Sequence, residues 1–528
     1  NDYPVPNRCL VNTEKILKLY LEKELFGGVK LAKETNVFPT EGGTAAICYI
    51  FNSLKENGLI KAGDKIAINT PIFTPYLQIP ELKDYEMVEV DLISKEENNW
   101  VIEDSELDSF KLIDKTDNKE IKTSAIKVSD NKVKLTLKKG FFSTPEIDPS
   151  HDYEVNSNNF RATKVTMRKI LDDPEYFYNG DDLGVTYKKD SSTFKLWAPT
   201  AKEVSLVLYD NEGTYDENGK VTDNTGGREI SMKKEDKGVW SLKVDENLEG
   251  KYYMYKVSFA DGKTNYAIEP YAKAVSANGQ RGVIIDFSST NPSEWGSVKK
   301  PPMLNPTDSI LYEMHVRDFS ISKDSGIKNK GKFEGIAEEG TKVPGTDVKT
   351  GIDHLKELGI TTVHLLPSFD YASVNEISNK PQFNWGYDPQ NYNSLEGSYS
   401  TNTEDPKSRV REFKDMVQTL HKNGIRVVMD VVYNHTYGIG QNSPFDPVVP
   451  GYFYRTNDEG KYTNGSGCGN EVATERPMVR KYIKDSVKYL AKEYDVDGFR
   501  FDLMGLIDTK TMSELTTELR NEIDPSLI

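Results

Sequence analysis

The spacing of apolar positions changes along this chain, and each change marks a different kind of local structure. Helical spacing runs through residues 13–26 and again through 44–57, and a short apolar run at 65–69 suits a buried strand, so the first hundred residues have α/β texture. From about Ser109 the period shortens to two. The segments starting at Phe110, Ile126 and Lys132 alternate apolar with polar residues between Asp, Asn and Lys turns, as a small β-sandwich or immunoglobulin-like unit would. The same alternation returns at 192–197, 203–209, 238–244 and 252–258, which predicts a second sandwich. Beyond the proline-rich linker Lys300 to Pro306, strand and helix patterns follow one another. Strands are predicted at 309–316, 361–366, 425–432 and 498–502, and helices at 351–358, 409–423, 478–494 and 511–522. Repeated β/α units imply a parallel sheet, open or closed into a barrel.

Length agrees with several units, because 528 residues exceed what one core usually organises. The expected division is 1–108, an α/β fragment; 109–160, a small β unit; 161–299, a sandwich; and 300–528, the β/α region. Charge narrows the partners. With 67 basic against 83 acidic residues the net charge is -16, which argues against nucleic acid or an anionic membrane and leaves a neutral polymer or a small metabolite. No apolar run is long enough to span a bilayer, and no signal-peptide pattern opens the chain. It begins with Asn1, so cellular location stays open. Cys9, Cys48 and Cys468 form no CxxC pair and read as buried or incidental thiols; His354, His364 and His421 lack metal-ligand spacing, and no metal is inferred.

Catalytic groups of parallel β/α folds gather at the C-terminal ends of strands, and here those ends are polar. One strand runs Asp430-Val-Val-Tyr-Asn-His435 and the next contains Gly498-Phe-Arg-Phe-Asp502. Side chains two apart share a face of a strand, so Arg500 and Asp502 point the same way, and a buried guanidinium keeps a neighbouring carboxylate ionised. An ionised aspartate beside histidine and arginine suits a nucleophile attacking an anomeric carbon. A structural ion pair accounts for the spacing alone about equally well. His315 reads as a satisfied polar group at a strand end.

Together these two motifs resemble the first and second conserved regions of the α-amylase superfamily of glycoside hydrolases. The resemblance implies Asp502 as nucleophile, Arg500 as its positioning partner, and His435 and Asp430 in the sugar-binding or supporting shell. Phe383-Asn-Trp-Gly-Tyr-Asp-Pro389 resembles the heptapeptide of type I pullulanases, with Phe where Tyr is usual first. By that likeness Tyr387 offers a platform for the sugar, with Trp385 and Asp388 beside it in the substrate site; packing of Trp385 and Tyr387 on a core is the plainer alternative. Residues 176–199 look like the starch-binding-module sandwich that precedes the barrel in this family. Its Trp197 and Trp240 alternate with Leu and Val and are expected in the core. The family expectation is therefore a partial (β/α)8 barrel, cut before the Glu that would serve as general acid. Glu514, Glu518 and Glu522 recur every four residues and read as a solvated helix face. With half the barrel's strands present, the fragment is expected to have little or no activity.

The glycine-bearing turn Phe38 to Ile47, with 62–66 and 70–76 after it, resembles a piece of a fold-type I pyridoxal-phosphate enzyme of the aspartate 4-decarboxylase and aminotransferase group. That likeness would put Gly43 and Thr44 on the cofactor phosphate. PLP would bind only if that part were complete, and the join near 104–110 is read as artificial. The hydrolase part implies no organic cofactor, and its need for calcium is open. Its partner would be an α-glucan polymer or oligosaccharide, with α-1,6 branches as the bonds cut. Cleavage of α-1,4 links, a glucan-binding chain without catalysis, and a PLP-dependent fragment are the rival readings.

Overall fold

The structure, a computed structural model, describes strands 65–70 and 86–91, residue 102, and residues 104–129, 132–137 and 147–528 apart from 304, 379, 458 and 459. The chain divides into two compact units, Asn1–Asn98 and Asn99–Ile528. In the first, Lys65–Thr70 pairs in parallel with Glu86–Asp91, so the strand expected at 65–69 is present. The helices expected at 13–26 and 44–57 lie outside the described residues.

The second unit opens with an antiparallel sheet of Lys119–Ile121, Lys111–Asp114, Tyr153–Asn156 and Thr163–Lys164, and with a separate hairpin of Thr123–Ser129 on Lys132–Leu137. A small sandwich was the expectation. The hairpin leaves Ile126 and Val128 exposed, so alternation here follows an open ribbon and not a closed core.

A true two-sheet sandwich follows. We label its central strands β1 (Ser191–Trp197), β2 (Glu203–Tyr209), β3 (Val239–Val244) and β4 (Tyr252–Ser258). β1 and β3 pair antiparallel in one sheet, β2 and β4 in the other. The inward set, including Phe194, Leu196, Val204, Leu206, Tyr253 and Tyr255, is buried, as the period of two predicts. Trp197 and Trp240 are core residues, each donating its indole N–H to backbone carbonyls: Trp197 to Tyr176 O at 2.9 Å and Trp240 to Ala198 O at 3.1 Å.

The β/α region contains β5 (Leu311–Met314), β6 (Thr362–Leu365), a hairpin of β7 (Phe369–Tyr371) and β8 (Pro389–Leu395), then β9 (Arg426–Val431) and β10 (Gly498–Phe501). β5, β6, β9 and β10 form one parallel sheet in that order. Its helices are α1 (Val316–Ser320), α2 (Phe333–Ala337), α3 (Gly351–Glu357), α4 (Pro406–Lys422), α5 (Pro477–Tyr494) and α6 (Thr509–Glu522). α4 and α5 each begin with proline at a first-turn position, where its missing N–H costs nothing. β9 is buried on both faces, the usual state of a parallel strand covered by helices. The chain end lies along β10: Phe499 N donates to Ile528 O at 2.9 Å, and Ile528 N to Asp497 O at 3.1 Å.

Of the three acids expected on a solvated helix face, Glu522 is exposed and Glu514 and Glu518 are only partly so. They turn toward α5, where Lys484 meets Glu514 at 2.9 Å and Glu518 at 2.7 Å, and Lys488 meets Glu518 at 2.8 Å and Glu522 at 3.5 Å. The four-residue repeat marks one helix face; whether water or another helix covers it is a tertiary matter. Cys468 is exposed, not buried.

Candidate active site

Asp430, near the end of β9, and Arg500, near the end of β10, are register partners across two parallel strands. Being opposite one another, they share a face of the sheet. Arg500 Nη1 lies 3.1 Å from each oxygen of Asp430 and 2.9 Å from Asp502 Oδ1, so one guanidinium nitrogen bridges two carboxylates. Asp430 is fully buried and Asp502 keeps 16 % of its side chain exposed, which leaves Asp502 as the carboxylate a ligand can reach. Arg500 itself is 44 % exposed, against the expectation of a buried guanidinium: on this open sheet it stands at the rim. The two acids raise its pKa against the opposing effect of its own burial.

Asp502 is held from its other side as well. Asn434 Nδ2 donates to Asp502 Oδ2 at 3.2 Å and to its carbonyl at 2.9 Å. Immediately after Asp502 the chain turns through Leu503, whose φ of 41° lies in the left-handed region that branched side chains avoid. The turn lifts residues 503 onward away from the sheet and leaves the carboxylate at its edge.

Asp430 collects two further donors. Tyr387 OH donates to its Oδ2 at 2.8 Å, and His364 Nε2, from the neighbouring β6, stands 3.3 Å from the same oxygen. Burial, with the Asp430 anion beside it, holds the Tyr387 phenol far above its ordinary pKa, so it stays a donor. His435 Nε2 meets Tyr387 O at 2.8 Å and its Nδ1 meets Asn434 Oδ1 at 2.5 Å, which links the Tyr387 loop to the Asp502 side. Burial lowers the His435 pKa, while the Tyr387 carbonyl and the Asp502 and Asp388 carboxylates pull it back up.

The loop 383–389 is fixed by its own polar groups. Asn384 accepts from Gly386 N at 2.8 Å, donates to Asp388 Oδ1 at 3.0 Å, and its carbonyl meets His315 Nε2 at 2.7 Å. Asp388 Oδ2 accepts from Ser373 N at 2.8 Å. Burial raises its pKa against these bonds, and its two oxygens are taken by Asn384 within the loop and by Ser373 outside it. Gly386 has φ 89°, and a β-carbon there would sit 2.9 Å from Pro367 Cβ. Trp385 is 61 % exposed, so it is not packed on a core. Phe383 is also exposed and rests on His315 at 5.1 Å between ring centroids.

The residues singled out in the β/α region, Asp502, Arg500, Asp430, His435 and Tyr387, thus fall into one connected network, with Trp385 and Asp388 on the loop beside it. Gly43 and Thr44 lie outside the described residues. Sequence reasoning passed over His364 and Asn434. Asn434 stands inside the motif ending at His435, one residue from a position already chosen, and His364 sits on the strand next to Asp430. Strand neighbourhood was the signal available for both.

The sandwich, the parallel β/α sheet after it and the Asp–Arg–Asp bridge at the sheet's C-terminal rim all have counterparts among known proteins. Residues 182–272 match carbohydrate-binding module 48, the isoamylase N-terminal domain, and 317–446 match the alpha amylase catalytic domain. The pullulanase of Bacillus subtilis (strain 168) is 40% identical over 348 residues, covering 66% of this chain and 46% of that protein. A crystal structure of pullulanase from Paenibacillus barengoltzii, in complex with maltohexaose and alpha-cyclodextrin, superposes with TM-score 0.64 at 47% identity, covering 67% of this chain and 53% of that one. Pullulanase from Bacillus acidopullulyticus gives TM-score 0.72 at 36% identity, covering 81% and 64%. This chain belongs to the pullulanase-type alpha-amylase family. It spans about half the length of the Bacillus subtilis relative.

Proposed function

We propose that the chain carries the nucleophile half of a retaining, pullulanase-like debranching site for α-1,6-glucosidic bonds of pullulan, starch or glycogen. One observation carries this reading: Arg500 Nη1 bridges the buried Asp430 and the accessible Asp502. Asp430 anchors the guanidinium, and the guanidinium holds Asp502 by a hydrogen bond of 2.9 Å, placing the carboxylate that would attack an anomeric carbon. Asn434 orients that carboxylate. His435 and Tyr387 form the wall beside it, and the exposed Trp385 offers a ring to the C–H face of a pyranose. Asp388 serves as the clasp of the loop. In this reading residues 300–528 form the first half of a (β/α)8 catalytic barrel, 161–299 its glucan-binding sandwich and 109–160 a smaller β unit, with an α-glucan polymer or oligosaccharide as partner.

An activated substrate tests the role of Asp502 without calling on a general acid, because fluoride leaves unprotonated. The chain should release fluoride from α-maltotriosyl fluoride, and Asp502→Asn should remove that release. Release that persists in Asp502→Asn would exclude the nucleophile assignment.

A further inference from the structure

The turn that follows Asp502 is strained and short. Leu503, at φ 41°, opens a single 3-10 turn, Met504–Leu506, in which Leu506 N donates to Leu503 O and Ile507 N to Met504 O, at 2.9 Å each. A branched residue stays in the left-handed region only where its surroundings over-determine it. Leu503 and Met504 are exposed, so packing of their side chains does not supply that hold. Arg455, in the connection between β9 and α5, does reach the turn. Its Nη1 donates to Leu506 O at 2.8 Å and to Glu471 Oε2 at 3.3 Å. Its Nε and Nη2 both donate to Glu475 Oε2, at 3.0 and 2.9 Å, and Nη2 also to Thr474 Oγ1 at 3.2 Å. These bonds occupy all the N–H groups a guanidinium has and fix its plane. Thr474 Oγ1 accepts from Asp508 N at 2.8 Å as well, so the same cluster grips the chain at Leu506 and again at Asp508.

The cluster returns to Asp502 by a second route. Arg455 N donates to Glu471 O at 2.9 Å, and the next residue, Val472, donates its N–H to Asn434 O at 2.9 Å. Asn434 is the residue whose side chain holds both the carboxylate and the carbonyl of Asp502. From Asp502 through Asn434, Glu471 and Arg455 to Leu506, and back along the turn, the contacts close a ring. One segment, 471–475, thus bears on the carboxylate from both sides.

We propose that Arg455 is a positioning residue for Asp502: by fixing the turn at Leu506 it sets the direction in which the Asp502 carboxylate leaves β10. The proposal deepens the reading of Asp502 as nucleophile and rests on it. A group that attacks a carbon must stand within a fraction of an ångström of its productive place, so slack in the turn falls on the rate and not on binding. The neighbouring Arg480 serves as the control. It donates to Asp508 Oδ2 and Thr511 Oγ1 at 3.0 Å each and to Glu475 O at 3.1 Å, and it makes no bond to 503–506.

Hydrogen exchange at the amides of Asp502, Leu506 and Ile507 reads the hold on the turn without turnover; Asp502 N donates to Val431 O at 2.9 Å. Arg455→Ala should quicken exchange there about tenfold or more, as should Arg455→Lys, which keeps the charge but gathers its donors on one nitrogen, while Arg480→Ala should not. In the fluoride assay both Arg455 variants should lower kcat about tenfold or more with KM within about twofold, and Arg480→Ala should keep both. Exchange no faster in the Arg455 variants than in Arg480→Ala would overturn the proposal, as would quickened exchange with kcat intact. A chain that releases no fluoride even unaltered would remove the nucleophile reading alone, and exchange at Asp502 would still decide whether Arg455 places it.

Discussion

Asp430 shows how a single buried charge is afforded at this site. Its two oxygens receive Arg500, Tyr387 and His364, each from a different segment of chain, and no part of it reaches water. Removing the charge while keeping the shape, as Asp430→Asn does, leaves Arg500 with Asp502 alone. Breaking a wholly buried pair typically costs about 3–5 kcal/mol, but Arg500 is nearly half exposed and water screens its loss, so about 1–2 kcal/mol is the expected destabilisation in urea unfolding. The larger effect should fall on Asp502, whose partner is no longer pinned. Fluoride release from the activated substrate should drop at least tenfold in Asp430→Asn, well beyond what the stability change explains. Equal rates in the variant and the parent chain would show that the bridge does not order Asp502.

At the scale of elements, the sequence was legible where burial follows a period. The central strands of the sandwich and the parallel sheet lie within a residue or two of their expected places, helices α5 and α6 likewise, and α4 starts three residues before its expected place, because each has one buried face repeated at 2.0 or 3.6 residues. The hairpin β7–β8 was not legible. Pro389–Leu395 reads PQNYNSL, which looks like a polar turn, yet nearly all of it is buried, with Asn391 paid for by Asp370 and Asn393 donating to Pro270 O at 3.3 Å. Partners this distant leave no mark in a local pattern. Asp502, Arg500, Asp430 and His435 stood out as polar groups at strand ends and took their roles from resemblance, Tyr387 was found by resemblance alone, and the loop logic around Asn384 needed coordinates. Gly386→Ala tests that logic. With φ 89° and Pro367 Cβ 2.9 Å from the added carbon, the loop must shift, at roughly 1–3 kcal/mol. Hydrogen exchange of residues 383–389 should quicken, whereas Gly424→Ala, whose added carbon meets nothing within 4 Å, should leave that loop protected. Unchanged protection in Gly386→Ala would mean that the loop is not held by its backbone.

Across the whole of the unit Asn99–Ile528, one hydrophobic cluster runs from the sandwich strands into the helices of the β/α region. Trp197 meets Tyr452 at 5.1 Å between ring centroids, and Tyr271 meets Tyr482 of α5 at 5.2 Å. The joint also buries polar groups: Tyr271 OH donates to Asp485 Oδ2 at 3.1 Å and Tyr482 OH to Pro270 O at 2.9 Å. Glu269, adjacent in sequence to both contacts, is wholly buried, takes one bond from Tyr253 OH at 2.6 Å, and leaves Oε2 without a partner. Burial pushes its pKa up to about 7, with Tyr253 and Lys273 only partly opposing. An acid whose pKa is higher folded than unfolded holds its proton better in the folded state. Its favourable contribution is therefore complete below the unfolded value near 4.5 and is lost as pH rises to about 7. The loss is on the order of 3 kcal/mol at most. Glu269→Gln keeps the shape and the acceptor for Tyr253 but cannot ionise. Measured by urea unfolding at pH 5 and pH 8, the variant should gain on the parent chain as pH rises, and the sandwich contacts with α5 should be the part that tightens. A stability difference between the two proteins that stays constant across that range would show that Glu269 is ionised throughout and that the joint already solvates its charge.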